Sequence, residues 1–233
     1  MARFGLALVA ALSLSACSLA SSPSASDFTE QAAQGQDGRV RVAIIGNSIT
    51  LHAPKSAIGW ARANGMAASD LKHDYAHLLL QKIGASPAES YVRNFYPFET
   101  DAHGAALNIA SIAPIMAGRP DVTVVQLGDN ISVLNPAQLY RFRGTFATLL
   151  DMVKQSGSFY CLSTFWHHVA TDYVIKSECE KAGGKYVYIG DIYPDQVASD
   201  TGSHYADKGV EKHPHDVAMQ RIAFRLWKAG ARI

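Results

Sequence analysis

The sequence lacks both an excess of charge of one sign and a long apolar run. Its 233 residues carry 21 Lys and Arg against 20 Asp and Glu, a formal net charge of +1. Without a basic excess there is no surface for a phosphate backbone, which excludes a dedicated nucleic-acid binder. No apolar run reaches the about 20 residues of a membrane-spanning helix, so a polytopic membrane protein is excluded as well. The remaining class is one globular domain of ordinary composition, 48% hydrophobic and 18% charged.

The N-terminal residues 1–16 have the layout of a secretory signal peptide. Arg3 precedes a short apolar stretch, and small residues follow it. The tetrapeptide Leu14-Ser15-Ala16-Cys17 resembles a bacterial lipobox, in which the Cys thiol is lipidated and becomes the new N-terminus. We therefore expect an exported protein on the periplasmic face of the cell envelope, anchored to the membrane by acyl chains on Cys17. Ser18 after the Cys favours the outer membrane.

The rest of the chain divides into a linker and a domain. Residues 17–38 are rich in small residues and are predicted to form a flexible tether. Residues 39–233 contain no internal repeat and no second linker, and we interpret them as one domain. The sequence does not indicate an oligomeric state.

Cysteine is scarce, with three residues in the whole chain. Lipidation of Cys17 would leave Cys161 and Cys179 in a compartment where disulfides persist. Cys161 falls in a predicted strand and Cys179 in the helix after it, so a bridge between them is sterically plausible. Two buried free thiols are the alternative.

Strands and helices are predicted to alternate along the domain. Short β-branched or apolar runs predict strands at 39–46, 89–95, 121–128, 158–164 and 185–189, and helical spacing predicts helices at 70–83, 105–116, 136–154, 171–182 and 216–228. Ser69 and Thr171 are the expected caps of two of these helices. Near-continuous apolar strands joined by single helices indicate an α/β fold with a mostly parallel sheet covered on both faces.

Three loops carry the residues of interest for catalysis. Ser48 follows the first predicted strand in Gly46-Asn47-Ser48-Ile49-Thr50, and Asn130 follows the third. His213 precedes the last helix. In a parallel sheet the loops after the strands meet at one edge, so these side chains can come together.

Together, these segments resemble the SGNH subgroup of the GDSL hydrolase family. Gly46-Asn47-Ser48-Ile49-Thr50 is similar to its first block, usually Gly-Asp-Ser-Ile-Thr. Gly128-Asp129-Asn130 is similar to its third block and His213-Pro214 to its last. The resemblance implies a flavodoxin-like, three-layer α/β/α fold. It also implies that Ser48 is the nucleophile, that His213 is the general base, and that Asn130 and the Ser48 N–H bind the oxyanion.

Three positions depart from the family pattern. The family has an Asp three residues before the His, where this chain has Val210; Glu211 is one candidate acid and Asp129 another. A Ser48–His213 dyad oriented by a group other than a carboxylate is the third option, and we favour it. Ile131 replaces the usual Asp after Asn130. No Gly lies near residues 94–99, so any third oxyanion donor is a different backbone N–H.

The resemblance and the export signal together predict a serine ester hydrolase. We expect it to remove an O-acyl group, acetyl in the first instance, from a carbohydrate or exopolysaccharide or from another small ester. The alternatives are an acyltransferase on an exopolysaccharide, a lysophospholipase or thioesterase, and a catalytically weak carbohydrate-binding accessory protein. No cofactor is predicted. No metal is predicted either, because His167-His168 and His213-x-His215 lack the spacing of a ligand frame.

Overall fold

The computed structural model describes residues 40–132, 135–199 and 204–233. The predicted signal peptide, the lipobox with Cys17 and the tether at 17–38 lie outside the described residues. No helix within the described ranges is both long enough and apolar enough to cross a bilayer.

A five-stranded sheet forms the centre of the molecule, and every neighbouring pair of its strands is parallel. The strands are β1 (Val42–Gly46), β2 (Ser90–Asn94), β3 (Val122–Gln126), β4 (Ser158–Leu162) and β5 (Lys185–Val187), in the order β2-β1-β3-β4-β5. This order changes direction next to β1, the arrangement in which a doubly wound sheet opens a crevice at its carboxyl edge. Gly46 pairs with Asn94 on one side and with Gln126 on the other, so three strands end at the same level.

Helices cover both faces of the sheet. They are α1 (Tyr75–Ile83), α2 (Tyr96–Thr100), α3 (Ala102–Ala117), α4 (Pro136–Val153), α5 (Val169–Lys181), α6 (Ile192–Ser199), α7 (Lys208–Glu211) and α8 (Asp216–Lys228). The core on one face contains α1 and α8, and the core on the other contains residues of α3, α4 and α5. The predicted three-layer α/β/α fold is therefore confirmed, and the sheet is entirely parallel in the described residues.

Three predicted helix starts were wrong. The helix predicted from residue 105 begins at Ala102, because the Asp101 side chain accepts the N–H of Gly104 and caps it there. The helix predicted from residue 70 with Ser69 as its cap begins at Tyr75, because the Asp74 side chain accepts the N–H of His77 and caps it there. The helix predicted from Thr171 begins at Val169, so Thr171 lies within it. Helices α2, α6 and α7 were not predicted, since four to eight residues are too few for a periodic pattern to stand out.

A disulfide joins Cys161 of β4 to Cys179 of α5, with the two Cα atoms 6.2 Å apart. Both residues are fully buried in the core on the α3–α5 face. The bridge ties the helix to the strand that precedes it. Of the two alternatives left open by the sequence, the structure contains the bridge.

Denatured but unreduced protein should therefore show no free thiol from Cys161 or Cys179. The double variant Cys161→Ala/Cys179→Ala should lose about 3 kcal/mol of unfolding free energy, because the unfolded chain regains the freedom of the closed loop. Denaturant titration without reductant measures that loss. Two titratable thiols in the unreduced domain would contradict the bridge.

Candidate active site

Ser48 lies at the carboxyl edge of the sheet, directly after β1. The turn that carries it depends on Gly46, where a Cβ would lie 2.7 Å from the backbone oxygen of Gln126. Only glycine therefore allows β1 to end this close to β3. The Ser48 carbonyl accepts the N–H of Met66, and Ser48 itself is half-buried. The hydroxyl group is thus held at the rim of the cleft and is still accessible.

His213 lies beside Ser48, although 165 positions separate them in the chain. The Ser48 Oγ and the His213 Nε2 are 2.9 Å apart. The imidazole is held by the turn after α7, in which the His213 N–H donates to the Val210 carbonyl at 2.9 Å. The Gln196 side-chain amide donates to the His213 carbonyl at 2.9 Å and fixes the loop from the other side. The structure thus brings together the two residues that the sequence predicts as nucleophile and base.

The second ring nitrogen of His213 settles which tautomer is present. Nδ1 lies 2.7 Å from the carbonyl oxygen of Gly209. Because a carbonyl oxygen only accepts, Nδ1 must carry the ring proton and Nε2 must be unprotonated. Nε2 is therefore free to accept the hydroxyl proton of Ser48. This is the tautomer that general-base catalysis requires.

The structure does not place Glu211 against His213. One oxygen of the Glu211 carboxylate accepts the backbone N–H groups of His204 and Tyr205, at 3.0 and 2.8 Å. Asp207 is likewise occupied, since its carboxylate caps the N-terminus of α7. Among the described residues, no carboxylate hydrogen bonds to the imidazole of His213. The orienting group at Nδ1 is the main-chain carbonyl of Gly209.

Burial lowers the pKa of His213 from 6.5 to about 4. The ring packs edge-on against Trp166, with their centroids 5.1 Å apart. The hydrogen bond to the Gly209 carbonyl favours the protonated ring, but its effect is smaller than that of burial, and the nearby His52 opposes it. The charge of Asp207 also favours the protonated ring, but its effect is smaller than that of burial, so the imidazole is neutral at pH 7.

The ring signals of His213 should accordingly titrate near pH 4 in an NMR experiment on the intact protein. A buried imidazole without a carboxylate partner resists protonation, so neutral-ring shifts should persist well below pH 6.5. The loss of the signals in His213→Ala assigns them. Titration at or above pH 6.5 would contradict the arrangement and would imply a carboxylate partner.

Two N–H groups at this edge of the sheet, within the described ranges, have no acceptor and could bind an oxyanion. Among the described residues, no acceptor receives the Ser48 backbone N–H. The side-chain amide of Asn130 has one hydrogen engaged with Glu99 at 2.6 Å, which leaves the other free. The loop after β2 offers no third donor, because the Phe95 N–H donates to Gly46 and the Tyr96 N–H donates to the Asn94 side chain.

A buried pair of acids lies beneath this edge. Asp129, which the sequence offers as a candidate acid, accepts from Gln126 Nε2 and from the Phe165 N–H, both at 2.7 Å. Glu99 was not identified as a site residue from the sequence. The only feature that could have indicated it is the position of an acid directly after the aromatic residues of α2. Burial raises the pKa of Asp129 to about 6. Burial and the neighbouring charge of Asp129 together raise the pKa of Glu99 to about 7. Neither acid contacts His213.

One group of potential metal ligands exists among the described residues. Ligand atoms of His204, Glu211 and His215 lie within 4.8 Å of one another. The same side chains bond to the local backbone, since His215 Nε2 lies 2.9 Å from the Glu211 carbonyl oxygen. These hydrogen bonds join residues 204 and 205 to Glu211, and His215 to Glu211, on either side of His213 in the chain.

Comparison with solved structures places the fold. A protein from Bacteroides uniformis described as a GDSL-like lipase superposes with a TM-score of 0.55 at 17% identity, covering 84% of this chain and 98% of that one. A member of the lipolytic G-D-S-L family from Veillonella parvula gives 0.52 at 12% identity, covering 82% and 98%. The chain has the SGNH-type fold.

A third structure with the SGNH-type fold is a two-domain esterase active on acetylated mannans. It matches with a TM-score of 0.51 at 16% identity, over 81% of this chain and 47% of the esterase. No protein-family profile matches the sequence. No curated protein matches it either.

Proposed function

We propose that the protein is a serine ester hydrolase that removes an O-acyl group, acetyl in the first instance, from a carbohydrate. The observation that carries the proposal is the 2.9 Å contact between Ser48 Oγ and His213 Nε2, with Nδ1 held by a carbonyl. A serine hydroxyl is a weak nucleophile until a neutral base takes its proton, and this pair supplies that base. The SGNH-type fold is consistent with the same chemistry.

The acyl-transfer step begins with attack of Ser48 Oγ on the ester carbonyl carbon. The hydroxyl proton passes to His213 Nε2, and the carbonyl oxygen becomes an oxyanion bound by the Ser48 N–H and the Asn130 amide. When the tetrahedral intermediate collapses, His213 gives its proton to the departing sugar oxygen. Ser48 is left as an acyl ester.

Deacylation repeats these steps with water. His213 accepts a proton from the attacking water, the same two donors bind the second oxyanion, and the carboxylic acid leaves as Ser48 regains its proton. The Gly209 carbonyl keeps Nδ1 protonated in both half-reactions. If a sugar hydroxyl replaces the water, the product is a new ester, so an acyltransferase would use the same residues.

Two observations apart from the geometry of the site favour a carbohydrate substrate. One is the resemblance to a family in which carbohydrate esterases are common, and the other is the mannan esterase that shares the fold. We further propose that the protein is exported and anchored through Cys17 to the periplasmic face of the envelope. A lipid anchor there would place the domain beside acylated surface polymers.

Ser48→Ala and His213→Ala should each abolish release of acetate from an acetylated oligosaccharide. Glu211→Gln should cost only a small factor, because its carboxylate serves the backbone of residues 204 and 205 rather than the imidazole. Steady-state kinetics with a small acetyl ester measures all three, and circular dichroism checks the fold.

Labelling with a serine-reactive phosphonate provides the control, since the reagent should modify wild type at Ser48 and leave Ser48→Ala unlabelled. A loss in Glu211→Gln close to that in His213→Ala would overturn the dyad. Transfer of acetyl to an added oligosaccharide, in place of acetate release, would identify an acyltransferase. Absence of both turnover and labelling would refute the enzyme and favour a binding role.

Expression in a bacterial host with labelled fatty acid should give a protein that carries the label and partitions with membranes. Cys17→Ser should be unlabelled, because only the thiol accepts the diacylglyceryl group at a lipobox. The domain cysteines are a built-in control, since Cys161→Ala/Cys179→Ala should still be labelled. An unlabelled wild type would contradict the anchor.

A further inference from the structure

Glu99 is a buried acid next to the candidate site that accepts hydrogen bonds from three different residues. It is fully buried in α2, the short helix after β2, and its Oε1 receives the Gly128 N–H and, at 3.3 Å, the Asn47 side-chain amide. Its Oε2 receives the Asn130 side-chain amide at 2.6 Å. A buried carboxylate with three such donors is held in one place.

The contact with Glu99 determines the orientation of the Asn130 amide. The Asn130 nitrogen lies 2.6 Å from Glu99 Oε2. When the carboxyl group is ionised it can only accept, so it holds the NH₂ group of Asn130 towards Glu99 and excludes the amide oxygen from that place. One hydrogen then points to Glu99, and the second is free for another acceptor. A neutral donor in place of the carboxylate oxygen would favour the flipped amide, with its oxygen where the nitrogen now lies.

The position of the Asn130 amide matters because few donors exist at this edge. The N–H groups of Phe95 and Tyr96 already have acceptors, so these two residues after β2 add no donor to the Ser48 N–H and the Asn130 amide. With two donors in place of three, each accounts for a larger share of oxyanion binding.

We propose that Glu99 is a positioning residue that holds the side-chain amide of Asn130 in the orientation that stabilises the oxyanion. The proposal rests on the proposed ester hydrolysis at Ser48. Glu99 forms no hydrogen bond with Ser48 or His213, so its effect on the rate must pass through the side chains that it holds. These are Asn130 and Asn47, and the double-mutant cycle below isolates the route through Asn130.

Two other charged residues lie near Glu99, one in the loop after β3 and one in α4. Asp129, after β3, shares the Asn47 amide with Glu99, and its charge raises the pKa of Glu99. Arg141 of α4 lies on the far side, where it donates to the Glu99 backbone carbonyl at 3.1 Å. The hydrogen bonds from Gly128, Asn130 and Asn47 favour the carboxylate form.

The decisive experiment is a double-mutant cycle on kcat with a small acetyl ester. Asn130→Ala removes one oxyanion donor and should lower kcat by about 100-fold. Glu99→Gln, which presents an amide N–H to Asn130, should lower kcat by a similar factor with KM little changed. The double variant should be no slower than Asn130→Ala alone.

Glu178→Gln is the matched control. Glu178 is also a buried acid, but it pairs with Arg143 on α4 and does not contact the site, so kcat should stay at the wild-type value. Multiplicative losses in the Glu99→Gln/Asn130→Ala variant would overturn the proposal, since Glu99 would then act by another route. If Glu99→Gln fails to fold, Glu99→Asp, which keeps the charge but is too short to reach Asn130, takes its place in the cycle.

A measurement that needs no turnover separates this proposal from the proposed function. The Asn130 side-chain amide signal, assigned by its loss in Asn130→Ala, should shift in Glu99→Gln and stay in place in Glu178→Gln. An unchanged signal overturns the positioning role even if the enzyme is active. A shifted signal in a protein without esterase activity supports the contact and refutes the proposed reaction.

Discussion

The side-chain amide of Asn47 holds the carboxyl edge of the sheet together. Its nitrogen lies 3.3 Å from Glu99 and 3.2 Å from Asp129, so one NH₂ group binds two buried acids at once. Glu99 belongs to α2, which follows β2, and Asp129 belongs to the loop after β3. Asp129 extends the connection to the loop after β4 through the Phe165 N–H. Ser48 follows Asn47 directly, and the position of the nucleophile is therefore fixed by four strand ends.

The same interaction explains a departure from the family block. That block usually has Asp at the position of Asn47. An Asp here would bring a third carboxylate against two buried ones, and none of the three could donate a hydrogen bond while ionised. The amide supplies two hydrogens at the point where two acceptors converge. The hydrogen bonds of Asn47, Glu99 and Asp129 therefore depend on one another. A substitution at any of the three positions changes the donors or acceptors available to the other two.

Much of the fold was predictable because its signals are local. The β-branched runs that became β1 and β3, and the glycine that ends β1, are short patterns with one physical interpretation. The pairing of Ser48 with His213 followed from the resemblance and the parallel topology. The role of Glu99 was not predictable, since its hydrogen bonds join three loops that are distant in sequence. The three short helices were missed because capping and tertiary contacts, more than periodicity, hold them in place.

Because a carbonyl and not a carboxylate binds Nδ1, the imidazolium form of His213 is stabilised less. A carboxylate would stabilise the imidazolium formed during proton transfer, whereas the Gly209 carbonyl offers only a dipole, which is why burial lowers the pKa of His213 to about 4. The orienting atom also belongs to the main chain, which every residue type supplies. No substitution at position 209 removes this carbonyl group, so alanine substitutions in the loop would not reveal its role. Only a backbone change, such as an altered course of the α7 turn, can remove this component of the site, so the dyad is protected from loss by point mutation of its orienting partner.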